Sequence, residues 1–276
     1  MNIPSAPRVI DAGLLSWFEP IALEEMDSIK LMNRIDTKFV TDTMVLNSVL
    51  EDALRLGYRV FECDGERLHS YDSIYFDTSD LRMFTAHRRG KLVRQKIRTR
   101  IYRGSGLCFL EVKRKNNHSR TKKKRVSMPP SDFQDFRDNA DACSWLSSHS
   151  DFSAGQIAPA VETSFDRITL VNAGLTERLT IDTAVTFRNL RTGSHADLGA
   201  AAIIELKQDG RAGSEMKEIL LRHRVKPFRI SKYCIGTVLT DSGVTAGRFK
   251  QKIRFIDKLN KNFYIRCYNP ILLRPL

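Results

Sequence analysis

Several features that would place this chain at once are missing. Its 276 residues contain no Gly-x-x-x-x-Gly-Lys-Ser/Thr run, which excludes the nucleotide-triphosphatases built on a phosphate-binding loop. The five cysteines, Cys63, Cys108, Cys143, Cys234 and Cys267, form no Cys-x-x-Cys pair and no Cys/His set of zinc spacing, so they read as reduced thiols of a cytoplasmic protein. No apolar run approaches the roughly 20 residues of a membrane-crossing helix, and the N-terminus lacks the charged-then-apolar pattern of a signal peptide. Internal repeats, low-complexity segments and linker-like stretches are also absent, and a single domain over residues 1–276 is expected. The scarce charge is acid: Asp and Glu number 32 against 45 Lys and Arg, a net charge of +13. Such a balance points to polyanionic partners without naming them.

Most of the charge imbalance lies in one stretch. From Arg88 to Arg125 there is one acid, Glu111, among sixteen Lys and Arg residues. Residues two apart on a strand share a face. On a strand over Leu92–Arg103, Arg94, Lys96, Arg98 and Arg100 therefore point one way and Val93, Ile97 and Ile101 the other. The next strand, Leu107–Lys115, sets Glu111, Lys113 and Lys115 opposite Leu110 and Val112. The same parity groups Arg34 with Asp36 and Lys38, Arg178 with Thr180 and Asp182, and Glu205 with Lys207. Like charges on neighbouring strands repel unless water or an anion screens them. A closed barrel would gather them inside, where a lower effective dielectric strengthens phosphate binding.

The remaining strand candidates are Arg34–Thr41, Tyr71–Phe76, Lys122–Ser127, Ala160–Leu170, Arg178–Phe187 and Ala202–Gln208. Arg103-Gly104-Ser105-Gly106 reads as a hairpin turn, and hairpins imply antiparallel pairing. Helices are expected over Pro20–Ile29, Asp42–Leu56 and Ser131–Ser147, with another capped by Ser214 and carrying Met216, Ile219 and Leu220. The expected class is thus α+β: an antiparallel closed β-barrel with flanking helices. Residues 241–276 carry a basic amphipathic pattern that suits either an anionic membrane surface, an acidic partner, or docking on the barrel.

Six segments in order, Arg34-Ile35-Asp36-Thr37-Lys38-Phe39, Tyr75-Phe76-Asp77-Thr78, Lys96-Ile97-Arg98-Thr99-Arg100-Ile101-Tyr102, Phe109-Leu110-Glu111-Val112-Lys113, Ile204-Glu205-Leu206-Lys207 and Ser231-Lys232-Tyr233, resemble the VTC domain. This is the polyphosphate polymerase domain of the vacuolar transporter chaperone complex and its bacterial relatives, within the triphosphate tunnel metalloenzymes that include the CYTH triphosphatases. The resemblance implies a basic tunnel. It implies that Lys38, Arg98, Arg100, Lys113, Lys124 or a neighbour, Arg167, Arg178 and Lys232 hold phosphates, with Ser231 assisting. Of these, Lys38, Arg98, Arg100, Lys113 and Lys232 are the expected catalytic cations; Arg34, Lys96 and Lys207 join the phosphate-binding set by face parity. Glu205 is the implied ligand for Mn2+ or Mg2+, with Glu111 a second carboxylate.

Two departures bear on activity. Phe165-Asp166-Arg167 stands where the family has Tyr-x-Arg, which removes one hydroxyl. Arg34, Asp36 and Lys38 stand where the CYTH hydrolases alternate two glutamates and a lysine, which leaves fewer metal ligands and favours the polymerase branch. The implied activity is transfer of the terminal phosphoryl group of ATP to a polyphosphate chain, with a triphosphatase or polyphosphate hydrolase and a noncatalytic polyphosphate sensor as alternatives. A membrane subunit is conceivable as a partner by the same resemblance. Nucleic acid is disfavoured, because Ser105 and Leu107 occupy the places where an RNA-recognition strand needs stacking aromatics.

Overall fold

The computed structural model describes residues 10–27, 34–117, 121–210 and 213–268. Among them, eleven strands form one sheet. Its long strands are, in chain order, β2 (Arg34–Asp42), β4 (His69–Asp77), β5 (Arg94–Tyr102), β6 (Cys108–Lys115), β7 (Thr121–Met128), β8 (Ala158–Val171), β9 (Glu177–Asn189) and β11 (Ala201–Asp209). All eight were legible as alternating segments, and they lie side by side in the order β2-β11-β9-β8-β4-β5-β6-β7, each pair antiparallel. Three short strands flank them: β1 (Glu19–Ile21), β3 (Arg59–Phe61) and β10 (His195–Asp197). The β1–β3 pair is parallel.

The helices are α1 (Ala12–Ser16), α2 (Leu23–Asp27), α3 (Thr43–Arg55), α4 (Arg82–Arg88), α5 (Ala140–His149), α6 (Glu215–Arg222), α7 (Lys232–Thr240) and α8 (Lys250–Tyr268). Caps set their starts. Asp42 accepts from the backbone N–H groups of Met44 and Val45 at 3.0 Å and opens α3, and Ser214 accepts from Lys217 to open α6. These two helices lie as expected. The helix expected over Pro20–Ile29 is instead strand β1 followed by the short α2, and its last two residues lie outside the described residues. Pro20 is tolerated there because β1 is an edge strand. The stretch expected to be helical from Ser131 is a single 3-10 turn, Pro130–Phe133, and α5 starts only after Asn139, whose side chain caps it at Ala142.

One face of the sheet is apolar and covered. Phe39, Ile204, Leu206, Leu179, Ile181, Ile168 and Leu170 pack under α3 and α6. Ile74, Phe76, Ile97, Leu110 and Val112 pack under α5 and the 3-10 turn. Burying this face supplies the main drive to fold. The other face is concave. Lys113 of β6 feels the charges of Lys38 on β2 and Glu205 on β11, six and five places away in the strand order. A flat sheet would set β2 and β6 about 29 Å apart, so the sheet curls to bring its ends together. Closure is another matter. No ladder joins β2 to β7 among the described residues, and what is present is a curled open sheet in place of the expected closed barrel.

Helix α7 enters the concave side, where Ile230, Tyr233 and Cys234 pack on Val40, Tyr75, Phe165 and Ile203. Helix α8 docks on the outside of this unit: Ile256 and Phe263 are buried, Asn260 bonds the backbone of Leu198 and Ala200, and Arg266 pairs with Asp42. Its apolar stripe thus packs within the chain, while residues 269–276 lie outside the described residues. Among the described residues no helix is long and apolar enough to cross a membrane. All five cysteines are free thiols.

Candidate functional site

Registered neighbours on adjacent strands point the same way, so the concave face can be read across the ladder. It runs from Lys38 to Glu205 and Thr180 on one path, and from Asp182 to Arg167 on the next. Ser73 and Tyr75 of β4 then face Arg100 and Arg98, which face Phe109 and Glu111; Lys96 faces Lys113, and Lys113 faces Lys123. Lys38, Lys96, Arg98, Arg100, Lys113, Arg167, Arg178, Lys207, Glu111 and Glu205, named from parity or resemblance, all fall on this face. Lys232 joins them from α7.

Lys124 does not. It sits opposite Val112, whose side is the covered apolar face, whereas Lys123 shares the side of Lys113 and pairs with Glu111. The neighbour, one residue back, is the cation that reaches the site, because a step of one residue reverses a strand side chain. Arg34 lies on β2 opposite Asp209, but its side chain lies outside the described residues. Ser231 caps α7 by accepting from the Cys234 N–H and also accepts from Lys96 Nζ at 2.7 Å. Its hydroxyl therefore positions Lys96 against the helix.

Among the acids on this face, Asp36 is exposed opposite Lys207 and two of the others are clamped. Glu111, 2% exposed, accepts from Arg98 Nε at 2.7 Å and pairs with Lys123. Asp182 accepts from Arg167 at 2.6 and 2.9 Å and from Lys232 Nζ. Burial works to raise both carboxyl pKa values, but Arg98, Arg100 and Lys123 around Glu111, and Arg167 and Lys232 around Asp182, outweigh it and hold both well below the usual range. Glu205 differs: its nearest cation, Lys38, stands off at 3.6 Å. Burial opposes ionisation there too, and Lys38, Lys207, Lys113 and Arg167 keep the group ionised.

Other cations stand without a carboxylate. Among the described residues, Lys96, Arg100, Lys113 and Lys207 form no salt bridge. Arg100 is 6% exposed, donates to Ser73 Oγ at 3.1 Å and lies over the rings of Tyr71 and Phe165. Burial and the neighbouring Arg98 pull its pKa down to about 10. Burial likewise lowers Lys207 and Lys232 to about 8 despite Glu205 and Asp182, and Lys123 to about 8 despite Glu111. Lys113 keeps solvent access while protein surrounds it, and its pKa is also lowered. The concave face thus presents positive charge that protein partly encloses. The arrangement can bind a chain of phosphates and neutralise charge along it.

Tyr75, which the sequence offered only as part of a strand, is placed in this site by the fold. Its hydroxyl accepts from Arg98 Nη1 at 3.1 Å, and its ring stacks on Tyr233. Burial would raise the phenol, but Arg98, Lys96, Arg100 and Lys232 outweigh it and bring it down to about 7. Asp77, in the same segment, is structural: it accepts from Met83 N, Phe84 N and Tyr233 Oη and anchors α4 to α7. Ultraviolet titration of the wild-type chain is expected to show a phenolate appearing near pH 7 that Tyr75→Phe removes. A bound polyanion disfavours the phenolate, so saturating tripolyphosphate raises that midpoint, and by linkage the anion binds more tightly below pH 7 than above. Lysines that lose their protons near pH 8 act in the same direction. An unchanged titration in Tyr75→Phe would remove this residue from the charge balance of the site.

A divalent ion needs several oxygens. Among the described residues no three His, Cys, Asp or Glu side chains converge as a metal centre. With Glu111 and Asp182 held by cations and Asp36 exposed, Glu205 is the enclosed carboxylate suited to a metal ion. That set fits Mg2+ or Mn2+ bound through one carboxylate, with phosphates and water completing the sphere. It does not fit an all-protein cage, and Glu111 as second ligand is not favoured.

The chain matches the VTC domain over residues 33–240. Comparison with curated proteins finds no match. Among solved structures, the putative adenylyl cyclase of Hippeastrum, described with a dominant triphosphatase activity, is 14% identical with a TM-score of 0.49, over 75% of this chain and 96% of that one. A putative adenylate cyclase from Vibrio parahaemolyticus is 10% identical with a TM-score of 0.44, over 75% and 99%. A Pyrococcus horikoshii OT3 protein is 14% identical with a TM-score of 0.43, over 75% and 98%. The family match runs through every long strand of the concave face and through α7, and the chain belongs to the VTC domain family.

Proposed function

We propose that this chain is a polyphosphate polymerase that transfers the terminal phosphoryl group of ATP to the end of a polyphosphate chain, with both reactants lying along the concave face of the curled sheet. The observation that carries this reading is the run of enclosed cations, Lys96, Arg100, Lys113 and Lys207, that have no carboxylate partner among the described residues. Membership of the VTC domain family supports it.

Two polyanions must meet, so repulsion is the first obstacle. Lys38, Arg98, Arg100, Lys113 and Lys232 are assigned to the reacting phosphates, and Lys96, Lys123, Arg167, Arg178 and Lys207 to the rest of the chain. An oxygen of the acceptor's terminal phosphate bonds to the γ-phosphorus. The bond from that phosphorus to the β-bridging oxygen breaks, and ADP leaves with the electron pair. The attacking oxygen is already ionised near neutral pH, so no general base is required. Arginine forks match phosphate oxygens, while the lysines add point charge. Glu205 would hold Mg2+ or Mn2+, which when bound neutralises charge on the transferring group.

The test is product length. Purified protein, γ-labelled ATP and Mn2+ or Mg2+ are expected to give a ladder of long phosphate chains on a sizing gel. Free phosphate alone would replace this reading with a hydrolase, and tight polyphosphate binding without turnover would replace it with a sensor.

A further inference from the structure

The β5–β6 ladder carries its cations past the site just described. One rung beyond Lys96 and Lys113, Arg94 faces Lys115. Around that rung the chain gathers three further cations from outside the ladder: Arg229, shortly before α7, Arg248 in the 3-10 turn Gly247–Phe249, and Lys252 at the start of α8. Their proximity is mutual. Besides burial, Lys115 is lowered by Arg94 and Arg229, Arg94 by Arg248, and Lys252 by Arg248 and Arg229.

This arrangement is built. Lys252 Nζ donates to the Arg229 carbonyl and lies over the Phe228 ring at 5.2 Å. The Arg248 guanidinium packs on Gly90, where a Cβ would come within 2.6 Å of Nη1 and where φ is +75°. Arg88 Nη1 donates to Thr245 O at 3.2 Å, and buried Phe249 stacks near Phe84. Among the described residues, Arg94, Lys115, Arg229, Arg248 and Lys252 form no salt bridge. Fixed, clustered charge of one sign is unfavourable without a counter-anion. Arg94 lies about 13 Å along β5 from Arg98, so a triphosphate held at Arg98 and Arg100 stops short of this rung and a longer chain reaches it.

We propose that Arg94, Lys115, Arg229, Arg248 and Lys252 form a second phosphate-chain site, continuous with the concave face, that holds the part of a linear polyphosphate extending beyond it. The inference rests on polyphosphate being the bound polyanion. Arg248 and Lys252 lie outside residues 33–240, so this extension is not part of the family match.

Binding of tripolyphosphate and of polyphosphate tens of units long is measured at fixed ionic strength for the full chain and for the Arg248→Gln/Lys252→Gln variant. The wild type is expected to prefer the long chain. The double variant is expected to lose about tenfold in long-chain affinity, equivalent to about 1.4 kcal/mol, with tripolyphosphate binding unchanged. Should that variant melt early, Lys115→Gln carries the same test at a solvated strand end. Undiminished long-chain affinity in a folded variant overturns the second site while leaving the first intact. A single-stranded DNA of equal charge that binds as tightly, and loses as much in the variant, overturns the assignment to polyphosphate. Wild-type protein that binds neither phosphate chain overturns the proposed function itself, and this inference with it.

Discussion

Glu205→Gln is expected to lower phosphoryl transfer by about 100-fold or more while polyphosphate binds at least as tightly as in the wild type. The two effects have opposite signs because one charge serves two purposes. Glu205 is an enclosed carboxylate of the concave face that no cation approaches closer than the 3.6 Å of Lys38 among the described residues, and it is ionised well below neutral pH. Glutamine keeps its shape, so Lys38 and the neighbouring β9 and β11 side chains need not move. Removing the negative charge reduces repulsion toward a phosphate chain, which favours binding. The same removal takes away the ligand best placed to hold a divalent ion, which slows transfer. If Glu205 only relieved repulsion among Lys38, Lys113 and Lys207, the variant would bind more tightly and turn over as fast as before. Measuring binding and turnover on the same preparations separates these cases.

Much of this site was legible because strand parity is a strict rule. Arg94, Lys96, Arg98 and Arg100 alternate with buried Gln95, Ile97 and Thr99, and a segment with so many cations must send them to one face. At β7 the rule lacked a reference point. Lys122, Lys123, Lys124 and Arg125 are all cationic, so nothing in that run says which are inward until Val126 and Met128 are seen to join the apolar side. Tyr75 was hidden for another reason. An aromatic in an apolar strand normally belongs to a core, and only the pairing of β4 with β5 brings Arg98 to its hydroxyl. Helix α7 escaped notice because Gly236 stands in its middle, where glycine normally weakens a helix. A Cβ there would come within 2.6 Å of Phe187, so close packing requires the glycine. Barrel closure was a global inference from local parity, and the ladder carries it only as far as a curl.

Glu111→Gln is expected to destabilise the chain by about 3 kcal/mol at pH 7, near the lower end for breaking a buried ion pair. Glu111 is 2% exposed and engages both Arg98 and Lys123. Its removal leaves Arg98 and Arg100 enclosed beside each other with no carboxylate against them. The lower end applies because Lys123 is 42% exposed and water screens part of its charge. The Glu111 pKa is lower in the folded chain than in the unfolded one, so its contribution is complete above the unfolded value and is lost as pH falls through the folded value. The melting temperatures of wild type and variant therefore converge only in strong acid. Tripolyphosphate should narrow the gap at pH 7, since an anion on this face replaces the missing charge and binds the variant more tightly; ligand at 100 times its dissociation constant adds about 2.7 kcal/mol. A metal-ligand role predicts otherwise. The metal-free variant would then melt close to the wild type, and the two would separate only when Mn2+ or Mg2+ is added. Thermal melts with and without tripolyphosphate, and with and without the metal, decide whether Glu111 is a counter-charge for Arg98 or a second carboxylate for the ion.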